Sequence, residues 1–379
     1  MSDGAVLAIY TGGTIGMVPT NDVPGSPLEA VQDERRLTEN VPQLDALMQE
    51  VPFELVRLKD EVGQRVGAVD SSDIDLRHWT WLAKQIERSY EAYDGFAILH
   101  GTDTMAYTAS ALSYMLSNLA KPVIITGSQI PMSRYDTDGL WNFVRAVQIA
   151  GYSHINQPLV PEVCICFNDS LFRGNRVRKM STSSAQGFGS PNYPALGDIG
   201  ERIKIHQHRI AEPADNGKHA FFADASFDPR VVDFALFPGI RPEALQTILG
   251  LDAVLGLVLR TFGAGNAPNN PELHAVIGNA VDAGKVIVNV TSCFEGQVEP
   301  GLYAASSALL DRGVTNGLDM TPEAALTKLM WLLGTVSDRD EVRRQMQVNR
   351  RGELSEHRGA RLYAEGGALA YASDALSRW

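Results

Sequence analysis

The chain has 379 residues, of which 44% are hydrophobic and 21% charged, and its formal net charge at pH 7 is −12. At about 100–200 residues per domain, this length predicts two or three domains with enough apolar residues for a large core. The acidic balance argues against a nucleic-acid partner, since phosphate binding requires clustered lysine and arginine. No apolar run approaches the roughly 18 residues of a membrane-spanning helix, so we expect no membrane partner.

The N-terminus and the cysteines favour a cytoplasmic protein. The first four residues, Met1-Ser-Asp-Gly4, are acidic, whereas a signal peptide begins with positive charge. Cys164 and Cys166 alternate within an apolar run, which predicts that both face a core rather than bind a metal. With an odd count of three cysteines, we expect a reducing compartment.

The first half of the chain alternates short apolar runs with helical stretches. The predicted strands cover residues 5–10, 53–58, 96–100, 122–126 and 163–167. The predicted helices cover residues 42–50, 72–90, 104–119 and 139–149. Continuous apolar strands between helices are typical of βαβ units, whose mostly parallel sheet is covered on both faces. We therefore predict a large N-terminal α/β domain over residues 1–205.

A second α/β series follows a charged and polar stretch, which we interpret as a linker over residues 206–230. The predicted strands cover 232–237, 253–259 and 286–290, and helices are predicted after Pro242 and near 271–283. These elements predict a smaller C-terminal α/β domain over residues 231–379. From about residue 354 we expect a helical tail.

Two segments rich in glycine and threonine follow predicted strands: Tyr10-Thr-Gly-Gly-Thr14-Ile-Gly-Met17 and His100-Gly-Thr-Asp-Thr-Met105. Ligands bind at the carboxyl ends of parallel strands, and glycines let backbone N–H groups approach a ligand closely. Either segment alone fits a simple turn with a capping threonine, but two such segments favour a site. The sequence lacks a phosphate-binding lysine loop and a His-Glu-x-x-His motif, so no cofactor and no metal are predicted.

Two further segments supply polar and basic groups. Asp70-Ser-Ser-Asp73 precedes a predicted helix, where it fits either a carboxylate-binding site or a simple cap. Arg173-Gly-Asn-Arg176-Val-Arg178-Lys179 fits either a solvated basic turn or a site in which three arginines help Lys179 act as a base. Threonine is a poor nucleophile until a base takes its proton. A lysine beside threonine and aspartate therefore indicates attack on acyl carbonyls.

Together these segments resemble the asparaginase/glutaminase family, most closely its type I cytosolic bacterial branch. The resemblance covers roughly residues 5–353 and extends to Thr126-Gly-Ser128-Gln-Ile-Pro131 and Gly263-Ala-Gly-Asn266-Ala-Pro268. It implies a large N-terminal and a smaller C-terminal α/β domain. It also implies a homotetramer, built as a dimer of dimers, with sites near the subunit interfaces.

The resemblance assigns roles to individual residues. It implies that Thr14 is the covalent nucleophile and that Thr102, Asp103 and Lys179 form a second catalytic unit. Asp103 would also meet the substrate's α-amino group. The residues implied in binding the substrate or the tetrahedral intermediate are Gly13, Asp70, Ser71, Ser72, Gly101 and Ser128. Of these, residues 70–72 match the segment that grips the α-carboxylate, and Ser128 lines the amide end.

The sequence departs from the family in the loop after the first motif. The family places a tyrosine there, whereas this chain has no tyrosine between Tyr10 and Tyr90. The first catalytic triad is therefore incomplete: either another residue or water serves, or activity is low. Arg260 and Cys293 fall where some type I members have an activating asparagine site, although an interface arginine and a core cysteine are the simpler interpretation.

These features predict an amidohydrolase that converts L-asparagine to L-aspartate and ammonia. One alternative is the ammonia-generating subunit of a tRNA-dependent amidotransferase, which shares these motifs. The other is a catalytically weak protein that senses asparagine or aspartate, as the missing tyrosine suggests.

Overall fold

The computed structural model describes residues 6–21, 26–37, 41–212, 219–299 and 308–355. The helices are α1 (Pro42–Glu50), α2 (Leu76–Ser89), α3 (Met105–Met115), α4 (Gly139–Ala150), α5 (Pro242–Leu249), α6 (Pro271–Asp282), α7 (Pro322–Thr335) and α8 (Arg339–Met346). The strands are β1 (Val6–Tyr10), β2 (Met17–Pro19), β3 (Leu28–Ala30), β4 (Phe53–Arg57), β5 (Gly95–Leu99), β6 (Leu116–Ser117), β7 (Val123–Thr126), β8 (Val163–Phe167), β9 (Ser170–Arg173), β10 (Arg178–Lys179), β11 (Phe188–Gly189), β12 (Gly197–Ile199), β13 (Ile203–Ile205), β14 (Phe222–Ala223), β15 (Val231–Ala235), β16 (Gly256–Thr261), β17 (Val286–Thr291) and β18 (Thr315–Asn316).

The N-terminal domain is built on an eight-stranded sheet of order β13-β12-β9-β8-β7-β5-β1-β4. Five neighbouring strands of this sheet, β8-β7-β5-β1-β4, run parallel, which confirms the predicted mostly parallel sheet. An antiparallel edge of β9, β12 and β13 was not predicted. It begins at the two-residue turn Asn168-Asp169, where Asn168 adopts φ +53°, a conformation that asparagine tolerates.

Helices cover both faces of this sheet, as its continuous apolar strands require. In β1, Val6, Ala8 and Tyr10 enter the core under α1 and α4, whereas Leu7 and Ile9 enter the core under α2 and α3. The carboxyl ends of β1, β5 and β7 therefore meet at one edge, where the loops that follow them converge.

The cysteine prediction is confirmed for the central strand β8. Cys164 and Cys166 have no exposed surface and both pack in the core under α4. Burial raises the pKa of the Cys166 thiol to about 12. Both thiols are therefore structural rather than reactive.

The C-terminal domain is a four-stranded parallel sheet of order β15-β16-β17-β18. Helices α5 and α6 cover one face, and α7 and α8 cover the other. Helix α7 also packs against α3 of the first domain, where Tyr114 stacks on Trp331 and donates a hydrogen bond to the carbonyl of Ala324 (3.3 Å). The two domains thus share a packed interface immediately behind α3.

The predicted linker contains the short strand β14, which pairs with β6 of the first domain. Part of this linker, residues 213–218, and most of the predicted helical tail, residues 356–379, lie outside the described residues. The domain limits therefore stay a prediction. Within the described ranges, no helix is long and apolar enough to cross a membrane.

The start of one helix and the cap of another differ from prediction, and both differences shape the site. Helix α2 begins at Leu76 because the Asp75 carboxylate caps it, accepting hydrogen bonds from the amides of Arg77 and His78. Helix α3 begins after Thr104 as predicted, but the Thr104 hydroxyl does not cap it. That hydroxyl instead donates to the carbonyl of Ser71 (2.7 Å) and ties two loops together.

Candidate active site

The turn that carries Thr14 follows β1 and depends on two glycines. Gly12 and Gly13 have φ +124° and +81°, which side chains rarely adopt. A Cβ at Gly12 would lie 2.1 Å from the carbonyl oxygen of Val69, and one at Gly13 would lie 2.2 Å from the Cα of Gly101. The glycines thus bring the loop of Thr14 into backbone contact with the two other predicted site segments.

The segment of Asp70 and Ser71 lies between the two threonine loops. Ser71 is buried, and its hydroxyl oxygen accepts a hydrogen bond from the amide of Asp103 (3.2 Å). The Asp70 carboxylate accepts hydrogen bonds from both the amide and the hydroxyl of Ser72 (2.8 Å each). Asp70 and Ser72 therefore satisfy each other. Among the described residues the Ser71 hydroxyl proton has no acceptor, so it is available to a ligand.

Lys179 connects the basic segment to the second threonine loop. Its Nζ donates to Thr102 Oγ1 (2.8 Å) and to Asp103 Oδ1 (2.6 Å). Thr102 is buried, whereas the Asp103 side chain is 61% exposed and so open to the cleft. The structure therefore brings Lys179 to Thr102 and Asp103, which lie 77 and 76 positions before it in sequence.

The three neighbouring arginines are not bare, because each is paired with a carboxylate. Arg173 binds Glu162, and Arg176 binds Asp319 (Nη1–Oδ2 2.8 Å). Arg178 lies 3.5 Å from Glu323. These ion pairs offset the three positive charges, so the expected cluster of bare arginines beside Lys179 is not present. The partner of Lys179 is Asp103.

Gly13 does not offer its amide to a ligand, since that N–H donates to the carbonyl of Val69 (3.0 Å). The expected role of Gly13 as a hydrogen-bond donor is therefore wrong, and Gly13 acts by packing on Gly101. By contrast, the Thr102 amide has no hydrogen-bond partner among the described residues. The Gly101 carbonyl accepts a hydrogen bond from His100 Nδ1 (2.7 Å). Because the C=O and N–H groups of a trans peptide point in opposite directions, the Thr102 N–H points away from the imidazole.

His100 was not predicted as part of the site, although it starts the second motif. It is fully buried, and burial lowers its pKa to about 4, so it stays neutral. The Gly101 carbonyl can only accept, so Nδ1 carries the proton and Nε2 accepts from the hydroxyl of Thr108 (2.9 Å). Trp79 Nε1 donates to the same hydroxyl (2.9 Å). This chain of hydrogen bonds holds the Gly101–Thr102 peptide in place through its carbonyl group.

Ser128 follows β7, the strand beside β5, at the same edge of the sheet. It is 1% exposed, and its hydroxyl has no hydrogen-bond partner among the described residues. A buried hydroxyl without a partner is costly, which fits a group kept for a ligand.

Arg260 and Cys293 lie in the C-terminal domain. Arg260 forms an ion pair with Asp233 (Nε–Oδ1 2.9 Å), and burial raises the pKa of Asp233 above its usual range. Glu323 and Tyr107 are also near this pair, and burial raises the pKa of Tyr107 to about 12. Cys293 is exposed, so the core-cysteine interpretation is wrong.

The loop without tyrosine connects β2 and β3, which pair as a hairpin beside Thr14. Its residues 22–25 lie outside the described residues. The nearest tyrosine in sequence, Tyr10, is 1% exposed, and its hydroxyl donates to the carbonyl of Gly16 (3.3 Å). Burial raises the pKa of Tyr10 far above its usual value, so Tyr10 does not supply a base for Thr14. Within the described ranges, no group of three or more His, Cys, Asp or Glu side chains forms a metal site.

Comparisons with known proteins agree with this arrangement. Residues 5–211 match the family model for the asparaginase N-terminal domain, and residues 230–346 match that for the glutaminase/asparaginase C-terminal domain. L-asparaginase 1 of Escherichia coli K12 is 40% identical over 359 residues, 94% of this chain and 99% of that protein. The structure of L-asparaginase I from Vibrio cholerae superimposes with a TM-score of 0.80 and 38% identity, covering 93% of this chain and 99% of that one.

A further relative is one of the component proteins of the glutamyl-tRNA(Gln) amidotransferase of Pyrococcus horikoshii. It is 31% identical over 92% of this chain, which covers 76% of that protein. The two family models together span most of the chain, and the E. coli relative matches it over nearly its full length. The chain therefore belongs to the asparaginase family of hydrolases, in its type I branch.

Proposed function

We propose that the protein hydrolyses the side-chain amide of L-asparagine to L-aspartate and ammonia through an acyl-enzyme on Thr14. The observation that carries this proposal is the contact of Lys179 Nζ with both Thr102 and Asp103. This unit lies across the Gly13–Gly101 contact from Thr14. A nucleophile on one loop and a base on the other are what amide hydrolysis needs.

In the first step, Thr14 Oγ1 forms a bond to the side-chain carbonyl carbon of the substrate. The Thr102 N–H stabilises the resulting oxyanion, and losing one such donor typically costs about 10²–10³ in rate. The carbon–nitrogen bond then breaks, and ammonia leaves with the proton given up by Thr14. Since the loop tyrosine is missing, water in the cleft carries this proton.

In the second step, a water molecule attacks the ester carbon. Lys179, oriented by Asp103, accepts a proton through Thr102 or directly from the water. The bond to Thr14 Oγ1 breaks, and Thr14 regains its proton as L-aspartate leaves.

Substrate binding uses the remaining groups at this edge of the sheet. The free hydroxyl of Ser71 donates to the α-carboxylate, and the exposed carboxylate of Asp103 accepts from the α-amino group. Asp70 and Ser72 hold the shape of this segment through their mutual hydrogen bonds. The unpartnered hydroxyl of Ser128 contacts the amide end.

Ammonia release tests this proposal directly. We expect the wild type to release ammonia from millimolar L-asparagine, and L-glutamine measured alongside gives the amide preference. We expect Thr14→Ala and Thr102→Ala to lose at least 10²-fold in kcat. Thr247→Ala is the control, since this exposed threonine on α5 bonds only to the carbonyl of Glu243 among the described residues. Near-normal turnover by Thr14→Ala would contradict the mechanism.

The proposal includes a cytoplasmic homotetramer built as a dimer of dimers. Two apolar side chains beside the site support self-association: Met180 is 55% exposed and Phe294 is 41% exposed. Both lie close to Gly189 on the ribbon that carries Lys179. Light scattering of the wild type and of Phe294→Ser measures the oligomeric state. A monomeric wild type would remove this part of the proposal.

A further part of the proposal is an activating asparagine site at Arg260 and Cys293. Its support is that the Arg260–Asp233 pair lies with Tyr107 and Glu323 in a polar cluster between the domains. We expect a sigmoidal rate curve in the wild type and a hyperbolic one in Arg260→Ala. A hyperbolic wild-type curve would remove the reason for such a site.

Two alternatives remain distinguishable by simple assays. The first alternative, a sensor that binds asparagine or aspartate with little turnover, rests on the tyrosine-free loop. Both sensor and enzyme gain thermal stability from the ligand, but only the enzyme releases ammonia at steady state. The amidotransferase subunit would bind tRNA in a salt-sensitive manner, which the net charge of −12 disfavours.

A further inference from the structure

The backbone that carries Lys179 is short and needs support from outside its own ribbon. Strand β10 contains only Arg178 and Lys179 and pairs with β11 in a two-stranded ribbon. The Arg178 side chain reaches Glu323 at the start of α7 (3.5 Å), whereas Lys179 reaches the first domain's threonine loop. The second domain therefore already contacts the residue next to Lys179.

Arg176, three residues before Lys179, makes a stronger contact across the domains. Its side chain is 1% exposed. Its guanidinium donates to the carbonyl of Gly352 (2.7 Å), to Asp319 Oδ2 (2.8 Å) and to Ser355 Oγ (3.2 Å). All three partners belong to the second half of the chain, so the planar fork of Arg176 fixes the turn before Lys179 in direction as well as position.

Asp319 is itself held in place. Its carboxylate accepts hydrogen bonds from the amide (2.8 Å) and the hydroxyl (2.6 Å) of Ser355. Burial alone would raise the pKa of Asp319, but the charge of Arg176 and the hydrogen bonds from Ser355 lower it below its usual range. The carboxylate therefore stays charged and opposite Arg176 at the pH of the reaction.

Residues 349–355, which we call the C-terminal strap, contact both domains. The carboxylate of Glu353 is fully buried, pairs with Lys328 Nζ (2.5 Å) and accepts a hydrogen bond from the Arg351 amide (2.6 Å). On the other side, the Arg351 carbonyl accepts from Asn175 (2.9 Å), and Arg351 Nε donates to the carbonyl of Ser113 (3.0 Å). The strap therefore joins α7 to the turn that contains Arg176.

We infer that Arg176 is a positioning residue for Lys179, held in place by Asp319 and the C-terminal strap. This inference rests on the proposed function, in which Lys179 is the base. A displacement of about 1 Å costs on the order of 10²-fold in rate when reacting groups must align. The second domain thus takes part in catalysis by setting the position of an amine on the first.

The test compares Asp319→Asn with Glu162→Gln. Each removes the charge of a carboxylate that is 7% exposed and paired with a buried arginine of the same turn. Glu162, however, pairs with Arg173, six residues before Lys179, and both lie in the first domain. At equal folded fraction, we expect Asp319→Asn to lose at least tenfold in kcat with KM and L-aspartate affinity within threefold. Glu162→Gln keeps kcat within threefold, and Arg176→Lys, which retains the charge, is intermediate.

Crystal structures of the two variants provide a readout that does not depend on turnover. We expect Lys179 Nζ to move beyond hydrogen-bond distance of Thr102 Oγ1 in Asp319→Asn and to stay in contact in Glu162→Gln. An unchanged contact, or equal loss of kcat in both variants, overturns the inference. A wild type that releases no ammonia overturns the proposed function instead, and the crystal structures still decide the positioning role.

Discussion

Replacing Gly13 by alanine tests how the two threonine loops are held together. Gly13 has φ +81° and ψ 176°, a conformation essentially restricted to glycine that costs a side-chain-bearing residue about 1–3 kcal/mol. The added Cβ would lie 2.2 Å from the Cα of Gly101, whereas nonbonded carbons prefer roughly 3.5–4.0 Å. Relieving this overlap requires the Gly101–Thr102 backbone to retreat by about 1 Å, and such a displacement typically costs on the order of 10²-fold in rate.

Gly284→Ala is the matched control. Gly284 has φ +84°, but a Cβ there meets no atom within 4 Å. Both variants place a side chain at a positive φ, +81° or +84°, so urea unfolding should show at least about 1 kcal/mol of lost stability in each. Only Gly13→Ala should lose about 10²-fold in kcat/KM for ammonia release. Activity within threefold of wild type, in a Gly13→Ala protein that is folded, would refute the backbone contact as a determinant of the site.

Three further predictions concern Lys179, the buried ion pair and His100. Lys179→Met should lower kcat for ammonia release by about 10²–10⁴-fold. The control Lys204→Met, on strand β13, should leave kcat unchanged, and equal activity of the two variants would contradict the role of Lys179. Lys328→Met should cost about 3–5 kcal/mol in urea unfolding because it leaves the buried charge of Glu353 unpaired, and adding Glu353→Leu should restore part of that loss. Burial lowers the pKa of His100 from 6.5 to about 4, so the unfolded chain binds a proton first and stability falls as pH drops from 6.5 towards 4. From pH 7 to pH 5, wild type should lose about 2 kcal/mol more than His100→Asn, and parallel losses would contradict this.

The central sheet and the main catalytic candidates were predictable because their signals are local. Val163–Phe167 is a continuous apolar run, and such a run forms a buried strand in any parallel sheet. The glycines and threonines after β1 and β5 are constrained by the turn in which they lie. Parallel strands end at a common edge, so the convergence of Thr14 and Thr102 followed from topology alone.

Partners far apart in sequence were not predictable. Arg176 pairs with Asp319, which lies 143 residues further along the chain. Nothing in the sequence alone therefore indicates that the charges of the basic segment are paired. Gly13 does not have its expected role as a donor to the ligand, because its amide donates to the carbonyl of Val69, on a separate segment. The antiparallel strands after β8 have only three or four residues each, too few for a clear pattern.

Trapping the acyl-enzyme tests the central claim most directly. Wild type is mixed with L-asparagine, quenched in acid within milliseconds and analysed by intact and peptide mass spectrometry. We predict an added mass of one aspartyl acyl group, confined to the peptide that contains Thr14 and absent in Thr14→Ala. An adduct on another residue, or turnover of L-asparagine by Thr14→Ala at the wild-type rate, would contradict it.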